Sequence, residues 1–251
     1  LVLHHPDFDL HSAPQTGDHQ EAPARTHAVI QKLQRVLGGY EALWSSDFES
    51  APLEAVGLAH SARYIRFLQG LAAEASPGTP LAVTPHLQRR LARVPVDQVK
   101  SPRRSDTFFA EGSLDAALRA VGGVLHAVEA VLAREHRSAL VLCRPPGHHA
   151  GIDGCTPDAC SCGFCLLNNV AIGALHACER GTRRVAIVDF DAHHGNGTEE
   201  IVVKHNRDRR RAGDPCRVFF ASVHLFDSGG PDSLEFYPGT GADDDALNLV
   251  L

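Results

Sequence analysis

Asp189, Asp191, His193 and His194 crowd into IVDFDAHHGNGTEE (187–200), directly after an apolar run that reads as the tail of a buried strand. Ionisable groups withdrawn from water cost several kcal/mol each unless something pairs with them. If the chain stays extended here, side chains alternate, so Asp189, Asp191 and His193 point one way and Phe190, Ala192 and His194 the other. A carboxylate and an imidazole two residues apart on a rigid strand end can ligate a divalent cation. Mixed Asp and His donors suit Zn²⁺ and also accept Mn²⁺ or Fe²⁺. The competing reading is an ion-pair cluster satisfied within the protein.

A second stretch, RPPGHHAG (144–151), tips the balance toward chemistry. Its prolines fix a turn, and Gly147 lets the backbone approach a neighbour closely. Adjacent His148 and His149 have no packing reason to share one loop. Two imidazoles beside a metal centre can move protons near neutral pH.

Both stretches need elements that bring them together. The apolar run ALVLC (139–143) predicts a strand ending at RPPG, and VAIV (185–188) predicts another ending at Asp189. RVFFASVH (217–224) predicts a third strand. Helices are predicted over 23–37, 54–71, 113–132 (with Ser113 as N-cap), 169–180 and 198–205; residues 1–26 and 76–104 read as loop or irregular. This alternation predicts an α/β domain, three-layer α/β/α with a mainly parallel sheet, spanning 1–251 as one unit. Continuous apolar strands suit a sheet covered on both faces. Ligands in such sheets sit beyond the carboxyl ends of the strands, which sets both histidine-bearing loops on one edge.

The bulk numbers exclude several classes. The chain has 251 residues, 43% hydrophobic and 22% charged, with formal net charge -6 and mean hydropathy -0.14. An acidic chain carries no general field for nucleic acid, and the basic runs 89–104 and 207–211 read as solvated loops. No apolar stretch is long enough to span a membrane, and no signal peptide is visible. Seven cysteines, an odd set without a secretory signal, suggest reduced thiols in a nuclear or cytoplasmic compartment. The chain has no Met, starts at Leu1 and stops in the strand-like ALNLVL (246–251), so a fragment is expected. GNGTEE lacks the Lys and Ser of a P-loop, and no G-x-S-x-G of a serine hydrolase is present.

Taken together, RPPGHHA (144–150), SCGFCLLNNVAIGA (161–174), VDFDAHHGNGTEE (188–200) and FYPGTG (236–241) resemble, in order and spacing, the zinc-dependent histone deacetylase family. HQEAPAR (19–25), HSARYI (60–65) and SDTFFAEG (105–112) agree more weakly, and the motifs are closer in form to class II-like members. The resemblance implies the arginase/deacetylase-like fold and hydrolysis of the amide of N6-acetyl-lysine in histones or other proteins. It makes Asp191 and His193 two of three zinc ligands and His149 the general base. His148 becomes its electrostatic neighbour, oriented by Asp189, and Asn196 stands behind the base where some members have Asp. Phe164 and Tyr237, with Gly163 beside them, become the walls of the acyl-lysine tunnel, and Asp106 holds the substrate backbone at the rim. A structural K⁺ is implied near Asp189, Asp191, His193 and Ser222. Corepressor-type complexes are implied partners, with no direct nucleic acid and no membrane.

The family's third zinc ligand, a downstream Asp, is expected to be absent, with Asp243, Asp244 and Asp245 coming too early. Its glycine-rich loop and oxyanion Tyr are also missing, so truncation at the C-terminus and weak or no activity are expected. A related hydrolase of acetylpolyamines and a non-catalytic binding fragment are the alternatives. Cys155, Cys160, Cys162 and Cys165 offer an irregular four-thiolate set, with free thiols as the favoured reading. Cys143 reads as core, His4, His5 and His11 as loop or pocket rim, and His224 as packing or a hydrogen bond near the site.

Overall fold

The computed structural model describes residues 1–14, 19–37, 43–92, 96–157, 159, 161–226, 236–241 and 248–250. Val2–Leu3 forms β1, although residues 1–26 were expected to be loop; it is followed by a 3-10 turn, Pro6–Leu10. Then come α1 (Ala24–Leu37), β2 (Trp44–Ser45), α2 (Leu53–Val56), α3 (Ala62–Glu74), β3 (Leu81–Ala82) and α4 (Val83–Leu87), which runs into a π-helical turn at Gln88–Ala92. The second half holds β4 (Phe108–Phe109), α5 (Ser113–Leu132), β5 (Leu140–Val141), α6 (Asn169–Glu179), β6 (Arg184–Asp189), α7 (Asn196–Arg211), β7 (Arg217–His224) and β8 (Asn248–Val250).

The expected α/β class with mainly parallel strands holds. β2, β1 and β5 form one parallel sheet, with Val2 opposite both Trp44 and Leu140. β6, β7 and β8 form another, in which Asp189 lies opposite Ser222. Among the described strands, β3 and β4 pair antiparallel. The two histidine-bearing loops leave β5 and β6 at their carboxyl ends, as parallel topology demands.

The main core gathers Tyr64, Leu68 and Leu71 of α3, Val121 of α5, Ile172 of α6, and Ile187, Val218 and Phe220 of the second sheet. Side chains of this size contribute roughly 1.5–3 kcal/mol each when buried. A smaller cluster joins Leu3, Phe8 and Phe48 to Ala120 and Ala127 of α5. Along β6 and β7 burial alternates: Ile187, Val218 and Phe220 face inward, while Val188 is 62% exposed and Phe219 points outward with it. Among the described residues this sheet is therefore covered on one face, where the apolar runs predicted cover on both.

Several local expectations change. The helix predicted over 54–71 is two helices, because the chain turns after α2 and Ser61 caps α3 by accepting from the Tyr64 N–H. Ser113 is not the N-cap of α5; Gly112 is, and the Ser113 hydroxyl instead accepts from the Ala110 N–H and meets His11. On α1, Val29 and Val36 lie outside and only Ile30 is buried. The basic run 207–211, expected as loop, is the last turn of α7, where cations complement the helix dipole. Residues 76–104 hold short elements rather than none.

Candidate active site

The loop after β5 is tied down by a buried ion pair. Arg144 is 1% exposed and grips Glu21 with two parallel bonds, Nε to Oε1 at 2.9 Å and Nη2 to Oε2 at 2.7 Å. Its third nitrogen donates to the Phe8 carbonyl at 2.6 Å, and His11 Nε2 stands 3.2 Å from Glu21. Burial pushes the Glu21 carboxyl up, but the bonds from His11 and Arg144 outweigh it and hold it at about 2. Further along, His60 Nδ1–H donates to the Gly151 carbonyl at 2.8 Å while its Nε2 accepts the Asn168 N–H at 2.9 Å. Burial drives this imidazole down to about 4, so it stays neutral. The Thr198 N–H at the start of α7 caps the His148 carbonyl at 3.0 Å. At Gly197 a Cβ would press into the backbone of His149 and Ala150, so only glycine lets α7 approach this loop.

The loop after β6 does not continue as extended chain, which corrects the expected alternation. It bends, and each acidic side chain turns back onto the backbone two residues ahead: Asp189 Oδ1 accepts from the Asp191 N–H at 3.1 Å, and Asp191 Oδ1 from the His193 N–H at 2.8 Å. These turns achieve what alternation was expected to do. Asp191 Oδ1 and His193 Nδ1 converge at 3.0 Å, with side chains 50% and 48% exposed. His194 goes the other way, buried and 2.8 Å from the Thr240 hydroxyl.

The two adjacent imidazoles lie 3.9 Å apart, each on a different partner. His148 Nδ1–H donates to Asp189 Oδ2 at 2.9 Å. Burial would raise the Asp189 carboxyl; the hydrogen bond and charge of His148 more than offset it and hold it below the usual range. His149 Nδ1 meets the Asn196 side-chain carbonyl at 2.8 Å, and Asn196 donates in turn to the Thr156 hydroxyl at 2.6 Å. An amide oxygen can only accept, so Nδ1 carries the proton and Nε2 the lone pair. Burial, then the neighbouring His148, lower the His149 pKa to about 3.

His148, His149, Asp191 and His193 line one cavity of about 400 Å³ together with Asp106, Gly163, Phe164 and Tyr237, so the expected site residues meet around one space. Phe164 is held at φ +68, a conformation rare for an aromatic residue, and its N–H donates to the Thr107 hydroxyl at 2.9 Å. Gly163 sits at φ +51, and a Cβ there would meet His149 and, at 2.8 Å, Tyr237. Tyr237 packs edge-on against His149 at 4.7 Å and donates its hydroxyl to the Ser161 carbonyl at 2.8 Å. Asp106 faces the cavity, yet both its oxygens already accept from the hydroxyls of Thr107 and Ser161. Its visible work is to brace the 161–164 wall. Ser222 is buried at the Asp189 end of β7 and bonds to His224 Nδ1 at 2.9 Å, which resolves His224 as a hydrogen-bonded residue.

His4, His5 and His11 lie in loop, as favoured, and the pocket-rim alternative is not met for His5 and His11: His11 is part of the Glu21 cluster and His5 caps the first 3-10 turn. Cys155, Cys162 and Cys165 are free thiols, as favoured, and form no three-donor group among the described residues; Cys160 lies outside the described residues, as do Asp243, Asp244 and Asp245. The expectation of reduced thiols throughout fails: Cys178 and Cys216 are joined as a disulfide. Sequence reasoning assigned no role to Glu21, Arg144, Thr156 or His19. His19 bridges to the Asp106 carbonyl at 3.0 Å and packs edge-on against Phe164, and a charged Glu-Ala-Pro-Ala-Arg segment before a helix gave no hint that its acid is buried.

Residues 19–248 match the histone deacetylase domain family. The chain is 34% identical over its full length to type-2 histone deacetylase 1 of Dictyostelium discoideum, covering 17% of that protein. It is 34% identical to the acetylpolyamine amidohydrolase of Mycoplana ramosa over 68% of this chain and 48% of the relative. Histone deacetylase 5 of Arabidopsis thaliana is 32% identical over 96% of the chain, which covers 31% of that protein. The chain thus spans less than half the length of these relatives. The crystal structure of the HDA15 HD domain superposes with a TM-score of 0.69 at 27% identity, over 96% of this chain and 58% of that one. Fold, motif order and the convergence of both loops on one cavity agree with these matches, and the chain belongs to the histone deacetylase family.

Proposed function

We propose that this chain carries the site of a zinc-dependent hydrolase that removes the acetyl group from N6-acetyl-lysine in histones or other proteins. The observation that carries this reading is the convergence of Asp191 Oδ1 and His193 Nδ1 at 3.0 Å, in the cavity that His149 also lines. One carboxylate oxygen and one imidazole nitrogen, both reachable from the cavity, fit a divalent zinc ion. When bound there, Zn²⁺ supplies Lewis-acid polarisation of the amide carbonyl and a lowered pKa for water. Asp191 and His193 are its proposed ligands. Among the described residues no third His, Cys, Asp or Glu donor completes a three-ligand group with them, so weak metal binding is expected from this pair alone.

His149, neutral and with its lone pair on Nε2, takes the proton of the attacking water and returns it to the leaving lysine amine. Asn196 fixes that tautomer through Nδ1 without adding charge. His148, held by Asp189, sets the electrostatics beside it. Gly163, Phe164 and Tyr237 wall the acyl-lysine stem, and the apolar wall disfavours the charged, deacetylated ammonium. Asp106 supports that wall and is also the proposed rim contact for the substrate backbone. Asp189, Asp191, His193 and Ser222 are the proposed holders of K⁺, supported by Ser222 lying opposite Asp189. With this reading go acetylated histone tails or other proteins as substrates, corepressor-type partners, and a nuclear or cytoplasmic location.

A second reading, hydrolysis of small acetylated amines, draws on the 34% identity to a bacterial acetylpolyamine amidohydrolase. Arg25 lines the cavity beside the acids Asp106 and Asp191 and lies 3.8 Å from Glu21, so rim charge alone does not separate this reading from the first. The deciding assay compares an acetyl-lysine peptide with an acetylated polyamine at equal concentration, with zinc and with a chelator. Weak, zinc-dependent turnover of the peptide in preference to the polyamine is expected, in keeping with a metal held by two donors. The reverse preference overturns the protein-substrate reading, and turnover indifferent to metal overturns both.

A further inference from the structure

Away from the cavity, three donors from three elements come together. Cys178 is near the end of α6, Cys216 directly precedes β7, and His205 lies on α7. Both sulfurs and one ring nitrogen of His205 lie within 4.8 Å of one another, the one such group of His, Cys, Asp and Glu donors among the described residues. Both cysteines are buried. His205 Nε2 is buried without a hydrogen-bond partner, a costly state for a polar atom that a ligand relieves. The Cα atoms of the cysteines are 6.3 Å apart, toward the long end of the range for a disulfide, about 4.4–6.8 Å. Zn–S legs of about 2.3 Å at tetrahedral angles place two sulfurs about 3.8 Å apart, which this separation also accommodates.

The site has a way in. His205 lines an open groove of about 640 Å³, with Lys204, Asp208, Arg209 and Asp214 along its wall. Arg209 is already held by Asp214, at 2.6 Å, and by Glu179, so it does not leave a bare positive charge facing an incoming cation.

We propose that Cys178, Cys216 and His205 form a binding site for a thiophilic divalent metal ion, of which Zn²⁺ is the type, with the disulfide as its metal-free oxidised state. The metal-binding form is the dithiol. It is reached by exchange with a small dithiol reductant, which leaves as its own disulfide while two protein thiols form. Each thiol then loses its proton as the metal binds. The fourth position is left to solvent from the groove. Occupied, the site clamps α6 and α7 onto the start of β7, the strand that pairs with the Asp189 strand.

Cobalt(II) tests this, because thiolate ligation gives a charge-transfer absorption that carboxylate and imidazole donors at Asp191 and His193 do not. The full chain, reduced and then freed of reductant and metal under argon, is titrated with Co²⁺. The expected result is a thiolate-to-cobalt band saturating at one equivalent, absent from the oxidised chain and restored on reduction. His205→Gln, which keeps both thiols, is expected to weaken binding more than about tenfold, since even outer partners of a metal ligand are worth about 10–100-fold. Cys178→Ser is expected to abolish the band, and Cys155→Ser to leave it unchanged. A reduced wild-type chain with no band overturns the proposal. So does a band that survives Cys178→Ser, or one that Cys155→Ser removes. The oxidised and reduced wild-type samples decide even if a cysteine variant fails to fold.

Discussion

The two loops that meet at the cavity are built to opposite plans. The loop bearing His148 and His149 hangs from the buried Arg144–Glu21–His11 cluster and from His60, and every anchor is nearly inaccessible to water. The loop bearing Asp191 and His193 is shaped mainly by short local turns, with a Leu225 N–H bond to the Ala192 carbonyl at 3.0 Å and the bonds of Asp189 and His194 at its ends; both donors are half exposed, and the preceding Phe190 is 87% exposed. Proton transfer tolerates little misplacement, so the histidine pair is held by long-range, buried contacts. A metal ion can itself order the donors that bind it, so the other loop is left open. Stability should therefore reside in the first loop and metal affinity in the second.

The largest effect separating the two is expected from Arg144→Ala, which strands the Glu21 carboxylate and should cost about 3–5 kcal/mol in denaturant unfolding. Asp191→Asn, by contrast, should leave unfolding within about 0.5 kcal/mol of wild type while removing zinc affinity. Equal losses in the two variants would erase the distinction.

Next in size is the response to acid. Glu21 has a folded pKa of about 2, below its usual 4.5, so its stabilisation is complete above pH ~4.5 and lost as pH falls toward 2. His60 has a folded pKa of about 4 and His149 of about 3, both below 6.5, so the unfolded chain binds the extra protons, and stability falls as pH drops from ~6.5 toward 4 and below. Glu21 and His60 each contribute on the order of 3 kcal/mol. Stability measured against pH should thus decline in two successive windows; a flat profile between pH 6.5 and 4 would contradict the neutral, buried roles of His60 and His149.

Gly163→Ala should cost about 1 kcal/mol or more, because Ala is strained at φ +51, and should weaken acyl-lysine peptide binding as the new methyl meets Tyr237 and His149. The smallest effect on stability, but an informative one, is expected from Asn196→Asp. Placing a carboxylate on His149 Nδ1 should raise that imidazole's pKa by about 1–3 units, read from its ring resonances against pH. No upward shift would mean that Asn196 does not set the state of His149.

Much of this was legible in the sequence, and the failures have physical causes. β7 was predicted to the residue because RVFFASVH is apolar and bounded by polar turns. His148, His149, Asp191 and His193 stood out because clustered ionisable groups after apolar strands demand compensation. β1 was missed because two residues, Val2 and Leu3, carry too short a pattern; they are a strand only because β2 and β5 flank them. The Asx-type turns were missed because side-chain capping depends on the bend, not on composition. Glu21 was invisible for a similar reason: its partners Arg144 and His11 are 123 and 10 positions away, and nothing local marks a buried acid.

The most direct test of the metal centre is a Zn²⁺ titration of the disulfide form, followed through the ring nitrogens of His193 and His149. Zinc is expected to shift His193 Nδ1 as a ligand while His149 Nδ1 keeps its proton on Asn196, and Asp191→Asn should abolish the shift. A His193 ring that ignores zinc, or a His149 that becomes the ligand in its place, would contradict this account of the site.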